Sequence, residues 1–429
     1  MADPTLHDVD LEKPVAGGRS LARLDGRVIL VSGGIPGERV RIVVERTGKG
    51  VAFGRVVDVL EASPDRVVPA IDARCGGLVF AHVAPERQGL LKQAIVTDAL
   101  ERIGRLRDLP PIEVVGSPST GWRLRARLHV QGGRVGFFLE GTHTLCDAGA
   151  TGQLAPGVLA LAEDVVARLR PELVPSVEAV LVAQSVAGDQ QAAHLELARP
   201  LPRRRELWVE GPPSGCTGVS AALASSRHPT TLAGDPYVRD PWAALGVTGG
   251  EAGITRHAAA FFQGNRVLLP QLLARVLAAA TEAREVIDLY AGVGLFGLAA
   301  ACTFPQASVT CVEGDPISAE DLVANAAPFG GRVRAVRGDV EGLVRSQSAH
   351  LADACVIVDP PRTGLSPVAL SAIADARPSR VVYVSCDPAT LARDLRVLVD
   401  AGFAIDAVTV FDMFPATAHV ETLVVLTQR

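Results

Sequence analysis

A cysteine at the end of a predicted buried strand is the residue best placed to do chemistry in this chain. Cys386 follows the apolar run Val381 to Val384, and Asp387-Pro388 ends that strand. A thiol at the carboxyl end of a strand in an α/β sheet lies at the edge where such folds bind ligands. Residues 389–398 read as a helix, whose N-terminus would lower the pKa of a neighbouring thiol. We therefore predict a nucleophilic thiolate, against the alternative of an ordinary buried cysteine.

An acid near the end of the sequence is the second candidate for catalysis. Glu421 stands at the head of the last predicted strand, residues 422–427. Because the last strands of such folds are neighbours, Glu421 is expected near Cys386 and is predicted to act as a general base. His419 remains an alternative base.

A glycine-rich turn lies upstream, between a predicted strand and a predicted helix. Gly292 and Gly294 let the backbone approach a ligand closely, and Gly297 completes the spacing that dinucleotide-binding enzymes use. The spacing by itself leaves a nicotinamide enzyme and a user of S-adenosylmethionine both open.

Acids follow the predicted strands of this region. Glu313 is placed to bind two ribose hydroxyls, and Asp339 is placed to meet an adenine amino group. Together with Asp288 they form a rim that suits a cationic sulfonium better than a pyrophosphate. The alternative is that Asp288 and Asp315 cap helices and the other acids are solvated.

The run Asp359-Pro-Pro-Arg362 follows another buried strand. Two prolines make a rigid, extended turn, which would hold Asp359 at the pocket. Methyltransferases that act on amino nitrogens usually end this loop in an aromatic residue. Arg362 occupies that place, which disfavours an amine substrate.

The order of predicted elements positions these residues. From residue 255 to 429, apolar strands alternate with helices, which predicts a parallel, doubly wound α/β sheet. Residues 1–62 read as short strands and turns of a small barrel of the oligonucleotide-binding type. Residues 70–250 read as a central α+β domain, with a helix at 85–103, a hairpin at 122–139 and a loop-rich stretch at 210–250.

Composition bounds the class of protein. The 429 residues are 48% hydrophobic with a net charge of −5, and they contain no apolar run of membrane-spanning length. Basic residues nevertheless cluster: nine Lys and Arg face three acids between Lys13 and Arg55, and further clusters lie at residues 123–127 and 203–205. Seven scattered cysteines suit free thiols in a reducing cytoplasm, and the polar N-terminus does not read as a signal peptide.

Taken together, the motifs resemble the uridine-C5 RNA methyltransferases of transfer and ribosomal RNA. The resemblance covers about the last 170 residues densely and is carried by Phe262-Gln-Gly-Asn265, Asp288 to Gly294, Asp359 to Gly364, Ser385 to Pro388, Ala392 to Asp394, Asp412 to Pro415, and His419 to Glu421. The N-terminal barrel is similar to the TRAM domain of this family. Trp122 to His129 resembles its central-domain strand.

The resemblance implies a class I methyltransferase fold and a set of site residues. Cys386 would be the nucleophile and Glu421 the base. The residues implied to contact S-adenosylmethionine are Gln263, Tyr290, Gly292, Gly294, Glu313, Asp339 and Asp359.

The chain departs from many relatives at their iron–sulfur site. Cys75 matches one ligand of the Cys-x5-Cys-Gly-Gly-Cys run, while Leu78 and Pro69 replace two others and Cys146 lies near the fourth position. A four-iron cluster normally needs four thiolates. We therefore predict that no cluster and no other metal is bound.

The predicted function is methylation of C5 of one uridine in RNA, through a covalent bond between Cys386 and C6. Ribosomal RNA is preferred and transfer RNA is the alternative substrate. We expect a cytoplasmic enzyme with no membrane association and no obligate protein partner. An amino or small-molecule methyltransferase, an inactive RNA-binding scaffold and a dehydrogenase remain alternatives.

Overall fold

A computed structural model describes residues 5–201, 207–226, 228–250, 252–347 and 351–429. The basic cluster at residues 203–205 lies outside the described residues. Within the described ranges, no helix is both long and apolar enough to cross a membrane.

The N-terminal region is a six-stranded sheet with one buried face. Its strands are β1 (Leu6–Asp10), β2 (Lys13–Val15), β3 (Arg19–Leu24), β4 (Arg27–Ser32), β5 (Arg39–Thr47) and β6 (Val51–Glu61), in the order β1-β5-β6-β4-β3-β2. In β5, Val40 and Ile42 are fully buried, while Arg39 is exposed and Arg41 is half-buried. This alternation follows from the two-residue period of a strand, which places Arg39 and Arg41 on one face of the sheet.

Several basic residues of this region are paired with acids. Arg41 Nε lies 2.8 Å from Asp8 Oδ1, and Arg55 Nε lies 3.2 Å from Glu45 Oε1. Arg46 instead lies over the ring of Phe53, 4.0 Å from its centroid. The basic face of the barrel is therefore partly neutralised by its own carboxylates.

The middle of the chain forms helix α1 (Pro85–Arg102), strand β7 (Ile112–Val115) and a seven-stranded sheet. The sheet has the order β10-β9-β8-β11-β12-β13-β14, and helix α2 (Val158–Arg168) packs on it. The strands are β8 (Arg125–Gln131), β9 (Arg134–Phe138), β10 (Leu145–Cys146), β11 (Val177–Gln184), β12 (Gln191–Leu197), β13 (Gly218–Leu223) and β14 (Thr230–Gly234). The hairpin formed by β8 and β9 confirms the pattern predicted from the sequence.

The prediction of a loop over residues 210–250 is wrong in part. It contains β13, β14 and β15 (Tyr237–Pro241), and β15 pairs with β16 (Gly253–His257). Gly218 and Gly234 sit opposite each other, where a Cβ on either would come within 2.4 Å of backbone atoms. Glycine here marks a close approach of two backbones, which the sequence alone does not distinguish from a turn.

The C-terminal region is a doubly wound sheet, as predicted. Its helices are α3 (Leu269–Ala279), α4 (Leu295–Thr303), α5 (Pro316–Ala326), α6 (Val340–Gln347), α7 (Pro367–Ala376) and α8 (Pro388–Asp400). Its strands are β17 (Glu285–Leu289), β18 (Ser308–Glu313), β19 (Val333–Arg337), β20 (Cys355–Val358), β21 (Arg380–Ser385), β22 (Phe403–Phe411) and β23 (Glu421–Gln428), in the order β19-β18-β17-β20-β21-β23-β22-β7.

One strand of this sheet runs against the others. β23 is antiparallel to both β21 and β22, and the remaining neighbours are parallel. Helices α3, α4 and α5 cover one face, while α1, α6, α7 and α8 cover the other. Strand β22 was not predicted as a strand.

Residues 70–250 do not pack as one unit. Helix α1 contributes Val96 and Leu100 to a core it shares with β20 and β21, and β7 forms the edge strand of the C-terminal sheet. The remainder of the segment builds the separate seven-stranded sheet. The C-terminal fold therefore uses chain from both sides of the central sheet.

Gly297 offers a direct test of the packing beneath the glycine turn. A Cβ at this position of α4 would lie 2.4 Å from Cys311 Sγ and 3.0 Å from Asp288 Cβ. We expect Gly297→Ala to lower the free energy of unfolding by roughly 1–3 kcal/mol through overpacking. Gly331→Ala, where no atom lies within 4 Å of the added Cβ, is the matched control. Equal unfolding midpoints for the two variants in urea would contradict this expectation.

Candidate active site and RNA groove

A single groove of about 1090 Å³ crosses the molecule between the two larger sheets. Its walls include Gly76 from the segment before α1, Arg125 from β8, and Gln263 from the segment before α3. Its floor includes Gly292 and Asp359 at the carboxyl ends of β17 and β20. Cys386 and Glu421 line the same groove. Residues that are far apart in sequence are therefore gathered in one open site.

The two predicted catalytic residues are neighbours because β21 and β23 are antiparallel. Ser385 pairs with Thr422 across the two strands, so Cys386 follows one strand as Glu421 begins the other. The Cys386 thiol is half-buried and the Glu421 carboxyl is buried. The expectation that these residues lie close together agrees with this register.

The environment of Cys386 does not lower its pKa, so that part of the sequence reasoning is wrong. Burial raises the pKa of Cys386 to about 11, and the carboxyls of Glu421 and Asp359 add to the rise. The N-terminus of α8 is occupied by Asp387, whose side chain accepts hydrogen bonds from Ala389 N at 3.0 Å and Thr390 N at 2.9 Å. These surroundings therefore keep the thiol protonated at neutral pH.

The acids beside the thiol also hold protons more tightly than usual. Burial raises the pKa of Asp359 to about 7, and it raises the pKa of Glu421 well above its ordinary value. Glu421 Oε1 is buried and has no hydrogen-bond partner among the described residues. A cation bound beside these acids would favour their ionised forms and lower their pKa values.

The positive charge of Arg362 opposes the rise in these pKa values. Its charge lowers the pKa of both Cys386 and Glu421, although burial outweighs it in each case. Arg362 Nη2 lies 3.1 Å from His419 Nδ1. Burial and the Arg362 charge lower the pKa of His419 to about 4, so this histidine is neutral at pH 7.

Most of the predicted cofactor residues lie together in the groove. Tyr290, Gly292 and Glu313 line it, and Gln263 Nε2 donates to Asp359 Oδ2 at 3.0 Å. Glu313 Oε2 accepts from Gly292 N at 2.8 Å, which ties the second strand end to the glycine turn. Gly292 has a φ of +57°, and no atom lies within 4 Å of a Cβ added there. The open space above this turn suits a ligand.

Two predicted cofactor residues are not brought to the groove wall. Asp339 is exposed, and its Oδ1 accepts from Gly342 N at the start of α6. Gly294 has a φ of +97°, and a Cβ there would lie 2.6 Å from Leu298 Cδ1. Its place is in the turn and in the packing beneath it. Capping explains Asp339, and a lone acid after a strand gives no signal that separates the two uses.

The arginines of the 122–130 segment lie along one wall of the groove. Arg123, Arg125 and Arg127 alternate with the buried residues Leu124, Ala126 and Leu128, so all three share the groove face. Arg127 Nε is 2.7 Å from Glu196 Oε2. Burial lowers the pKa of Arg123 and of Arg125 to about 10, which still leaves both cationic at neutral pH. Half-buried cations of this kind favour an anionic ligand.

Aromatic side chains complete the same wall, and the sequence reasoning did not identify them. The rings of His129 and Phe138 stack with centroids 3.7 Å apart, and Phe261 is 61% exposed. Phe414 meets Trp122 edge to face at 5.8 Å. Stacking platforms beside arginines are typical of sites for single-stranded nucleic acid. Aromatic residues make up only 4% of the chain, so their rarity was the one signal that the sequence offered. That these rings meet in one wall is visible only in the fold.

The cysteines near the predicted cluster position form a pair. Cys75 and Cys146 are joined in a disulfide with their Cα atoms 5.9 Å apart, so the prediction of free thiols is wrong for these two. Within the described ranges, no three His, Cys, Asp or Glu side chains are grouped so that they could hold a metal ion. Leu78 is buried in the place of a ligand. These residues do not fit an iron–sulfur cluster.

Comparison with known proteins agrees with this geometry. Residues 232–429 match the family model described as tRNA (Uracil-5-)-methyltransferase, and residues 7–57 match the TRAM domain. The chain is 32% identical to an uncharacterized RNA methyltransferase of Corynebacterium glutamicum, covering 99% of this chain and 97% of the relative. It is also 32% identical to the 23S rRNA (uracil(1939)-C(5))-methyltransferase RlmD of Chromohalobacter salexigens, covering 99% and 90% respectively.

This chain belongs to the RNA uracil-C5 methyltransferase family. A solved structure also shares the fold of this methyltransferase along its whole length. The Pyrococcus abyssi tRNA (uracil-54, C5)-methyltransferase, in complex with S-adenosyl-L-homocysteine, superposes with a TM-score of 0.69 at 21% identity. The alignment covers 98% of this chain and 99% of that one. The predicted methyltransferase fold with an N-terminal TRAM domain is confirmed.

The electrostatics of Cys386 can be tested by alkylation with iodoacetamide. Because the pKa of Cys386 is about 11, the rate should rise about tenfold per pH unit between pH 7 and 10. Arg362→Met should raise this pKa and slow alkylation at fixed pH. Glu421→Gln removes a nearby carboxylate and should lower the pKa and speed alkylation.

Peptide mass spectrometry would follow Cys386, with the half-buried Cys216 in the same samples as the control. The Cys216 rate should not respond to either substitution. A Cys386 profile with a midpoint near pH 7 would contradict the assigned environment.

Proposed function

We propose that this enzyme transfers a methyl group from S-adenosylmethionine to C5 of one uridine in RNA, with Cys386 as the nucleophile and Glu421 as the base. The observation that carries the proposal is the meeting of these two residues at adjacent strand ends. They lie in a groove that also contains the glycine turn and the arginines of the 122–130 segment. No other pairing in the groove joins a thiol to a partner-free carboxyl oxygen among the described residues.

The chemistry follows from the weak nucleophilicity of C5 in uracil. The Cys386 thiol gives up its proton to solvent, and Sγ adds to C6 while the electrons of the C5–C6 double bond move onto C5 and O4. S-adenosylmethionine would supply the methyl carbon, to which C5 bonds as the bond from that carbon to the sulfonium sulfur breaks. Glu421 removes the C5 proton, the double bond returns, and the carbon–sulfur bond at C6 breaks to release Cys386.

Charge accounts for how two groups with raised pKa values become reactive. Burial raises the pKa of the Cys386 thiol and of the Glu421 carboxyl. S-adenosylmethionine would supply the methyl group and a positive charge, and would leave as the neutral thioether. A cation in this acid-rich groove lowers the pKa of both residues, and Arg362 acts in the same direction.

The residues present fit this cofactor. Glu313 is placed to accept two ribose hydroxyls, and its carboxyl already accepts two backbone N–H groups, Gly292 N at 2.8 Å and Asp315 N at 2.6 Å. Asp359, held by Gln263, would orient the cofactor or the uracil. Tyr290 and Gly292 complete the set. Asp339 is left out because its side chain caps α6.

The arginine wall would hold the phosphate backbone of the RNA. Arg123 and Arg125 are half-buried cations, and Phe261 offers an exposed ring for a stacked base. A stacked or paired uridine cannot reach Cys386, so the target would be flipped out or lie in a loop. The TRAM barrel would add backbone contacts through the basic residues that its own acids leave unpaired.

Ribosomal RNA is our preferred substrate, and the cytoplasm our expected location. The Chromohalobacter salexigens relative, named 23S rRNA (uracil(1939)-C(5))-methyltransferase, matches at 32% identity over 99% of this chain. Transfer RNA is the second candidate, because the family model over residues 232–429 and the superposed Pyrococcus abyssi structure are both named for it. Methylation of unmodified ribosomal and transfer RNA transcripts, followed by nucleoside mass spectrometry, separates the two.

A covalent adduct tests the roles of Cys386 and Glu421. RNA carrying 5-fluorouridine has no C5 proton to remove, so it should remain bound to Cys386 on a denaturing gel. Cys386→Ala should abolish both trapping and turnover. Glu421→Gln should accumulate the adduct even with ordinary uridine, because elimination needs the base.

Binding of S-adenosylmethionine by the Cys386→Ala variant, measured by calorimetry, is the control for folding. Turnover by Cys386→Ala at the wild-type rate would rule out the thiol mechanism. A Glu421→Gln variant that turns over normally and accumulates no adduct would reassign the base, with His419 as the next candidate.

We also propose that the protein works without an iron–sulfur cluster. Cys75 and Cys146 are joined to each other, and Leu78 is buried where relatives carry a ligand. Iron and sulfide analysis of anaerobically purified protein should find far less than one iron per chain. About four irons per chain would overturn the proposal.

A further inference from the structure

A buried ion pair joins the first long helix to the segment that precedes Glu421. Lys92 of α1 is completely buried, and its Nζ lies 2.5 Å from Asp412 Oδ1 and 2.9 Å from the carbonyl oxygen of Phe414. The two charged residues are 320 positions apart in the chain. Neither residue lines the groove, so the proposed chemistry makes no direct use of them.

Stability alone is a weak reason for such a pair. Removing two charges from water costs several kcal/mol per ion, and apolar residues of similar volume often serve a core equally well. What an ion pair adds is direction, because the lysine ammonium can satisfy only acceptors held at set positions. A buried ion pair at this place therefore fixes the position of the segment that carries its acceptors.

The acceptors of the Lys92 ammonium belong to the segment 412–420, named here the Asp412 loop. Its backbone is held from two distant parts of the chain, α1 and the segment before α3. Asn265 Nδ2 donates to Met413 O at 3.0 Å, and Gln88 Oε1 accepts from Ala416 N at 2.7 Å. Gln88 precedes Lys92 by one helical turn, so two neighbouring side chains of α1 form hydrogen bonds with the loop. Ala416 adopts a φ of +62°, a conformation that a non-glycine residue keeps only when its surroundings impose it.

The Asp412 loop delivers side chains to the groove. Phe414, Thr417 and His419 line it, and Glu421 follows the loop directly. Phe414 meets Trp122 at 5.8 Å and His419 at 5.7 Å, so its position couples the arginine wall to the base. Lys92 acts on two loop atoms, the carboxylate of residue 412 and the carbonyl of residue 414, at the point where the chain leaves β22.

We propose that Lys92 is a positioning residue, which holds the Asp412 loop so that Glu421 faces the reacting uracil. The inference rests on the proposed role of Glu421 as the base. Because a displacement of about 1 Å at a catalytic group can cost on the order of 100-fold in rate, loss of Lys92 should slow proton removal more than RNA binding.

The test uses the full-length enzyme with two variants. Lys92→Met leaves Asp412 buried without its partner and should lower the melting temperature. The double variant Lys92→Met with Asp412→Asn removes both charges and should regain much of that stability. Arg102→Met, which breaks an exposed ion pair with Asp98 on the same helix, is the matched control and should behave as the wild type.

The decisive readout is the covalent adduct formed with ordinary uridine RNA during turnover. In the folded double variant, kcat should fall by roughly 100-fold with KM for RNA within about threefold of the wild type. Adduct should accumulate, as in Glu421→Gln. A merely structural role predicts a loss of folded enzyme in the single variant and normal kinetics in the double variant.

The outcomes separate this inference from the proposed function. If Glu421→Gln accumulates adduct while the double variant turns over normally, or slows without adduct, Lys92 does not position the base and the proposed function stands. If Glu421→Gln shows neither adduct nor slowed turnover, the role of the base fails and the inference falls with it.

Discussion

The antiparallel pairing of β21 with β23 is the constraint on which the site depends. It sets the thiol of Cys386 beside the carboxyl of Glu421, because one strand ends where the other begins. Side chains alternate between the faces of a strand, so a slip of one residue would turn Glu421 away from the groove. The register is fixed by apolar residues on both faces, with Val382 and Val384 in one core and Tyr383 in the other. Packing far from the groove thus determines which two groups meet in it.

Several ionisable side chains are buried in the groove or beside it. Burial raises the pKa of Asp288 to about 8 and of Asp359 to about 7, and Glu421 is shifted in the same direction. The groove is also lined by Arg123 and Arg125, which are half-buried cations. An apolar core would be less costly to fold. The arrangement makes sense for an enzyme that receives a sulfonium on one side and a phosphate chain on the other, since each ligand brings the charge that its wall lacks.

The parts of the chain are interleaved in a way that supports this division of labour. Helix α1 and strand β7 precede the central sheet in sequence but pack on the methyltransferase sheet. Through Lys92 and Gln88, α1 reaches the loop before Glu421. Gly76, beside the Cys75–Cys146 link, lines the far end of the groove. The proposed RNA-binding and catalytic surfaces are therefore built on shared elements.

The sequence by itself determined the elements and the residues at their ends. Apolar runs with a two-residue or 3.6-residue period are local signals, and they predicted the doubly wound sheet, the β8–β9 hairpin and α1. Strand ends marked Cys386, Asp359 and Glu313. Local signals also misled where one residue type serves two purposes. Gly218 and Gly234 allow two paired strands to approach closely and do not mark a loop. Asp339 caps a helix and does not line the groove.

Only the tertiary structure decided what those residues experience. The pKa of Cys386 is set by burial and by carboxyls from β20 and β23, and these outweigh any effect of the adjoining helix. The pairing of Cys75 with Cys146 and of Lys92 with Asp412 joins positions 71 and 320 residues apart. Desolvation and Coulomb forces depend on every neighbour in space. A sequence lists those neighbours without saying which of them will meet, and the folded chain makes that choice.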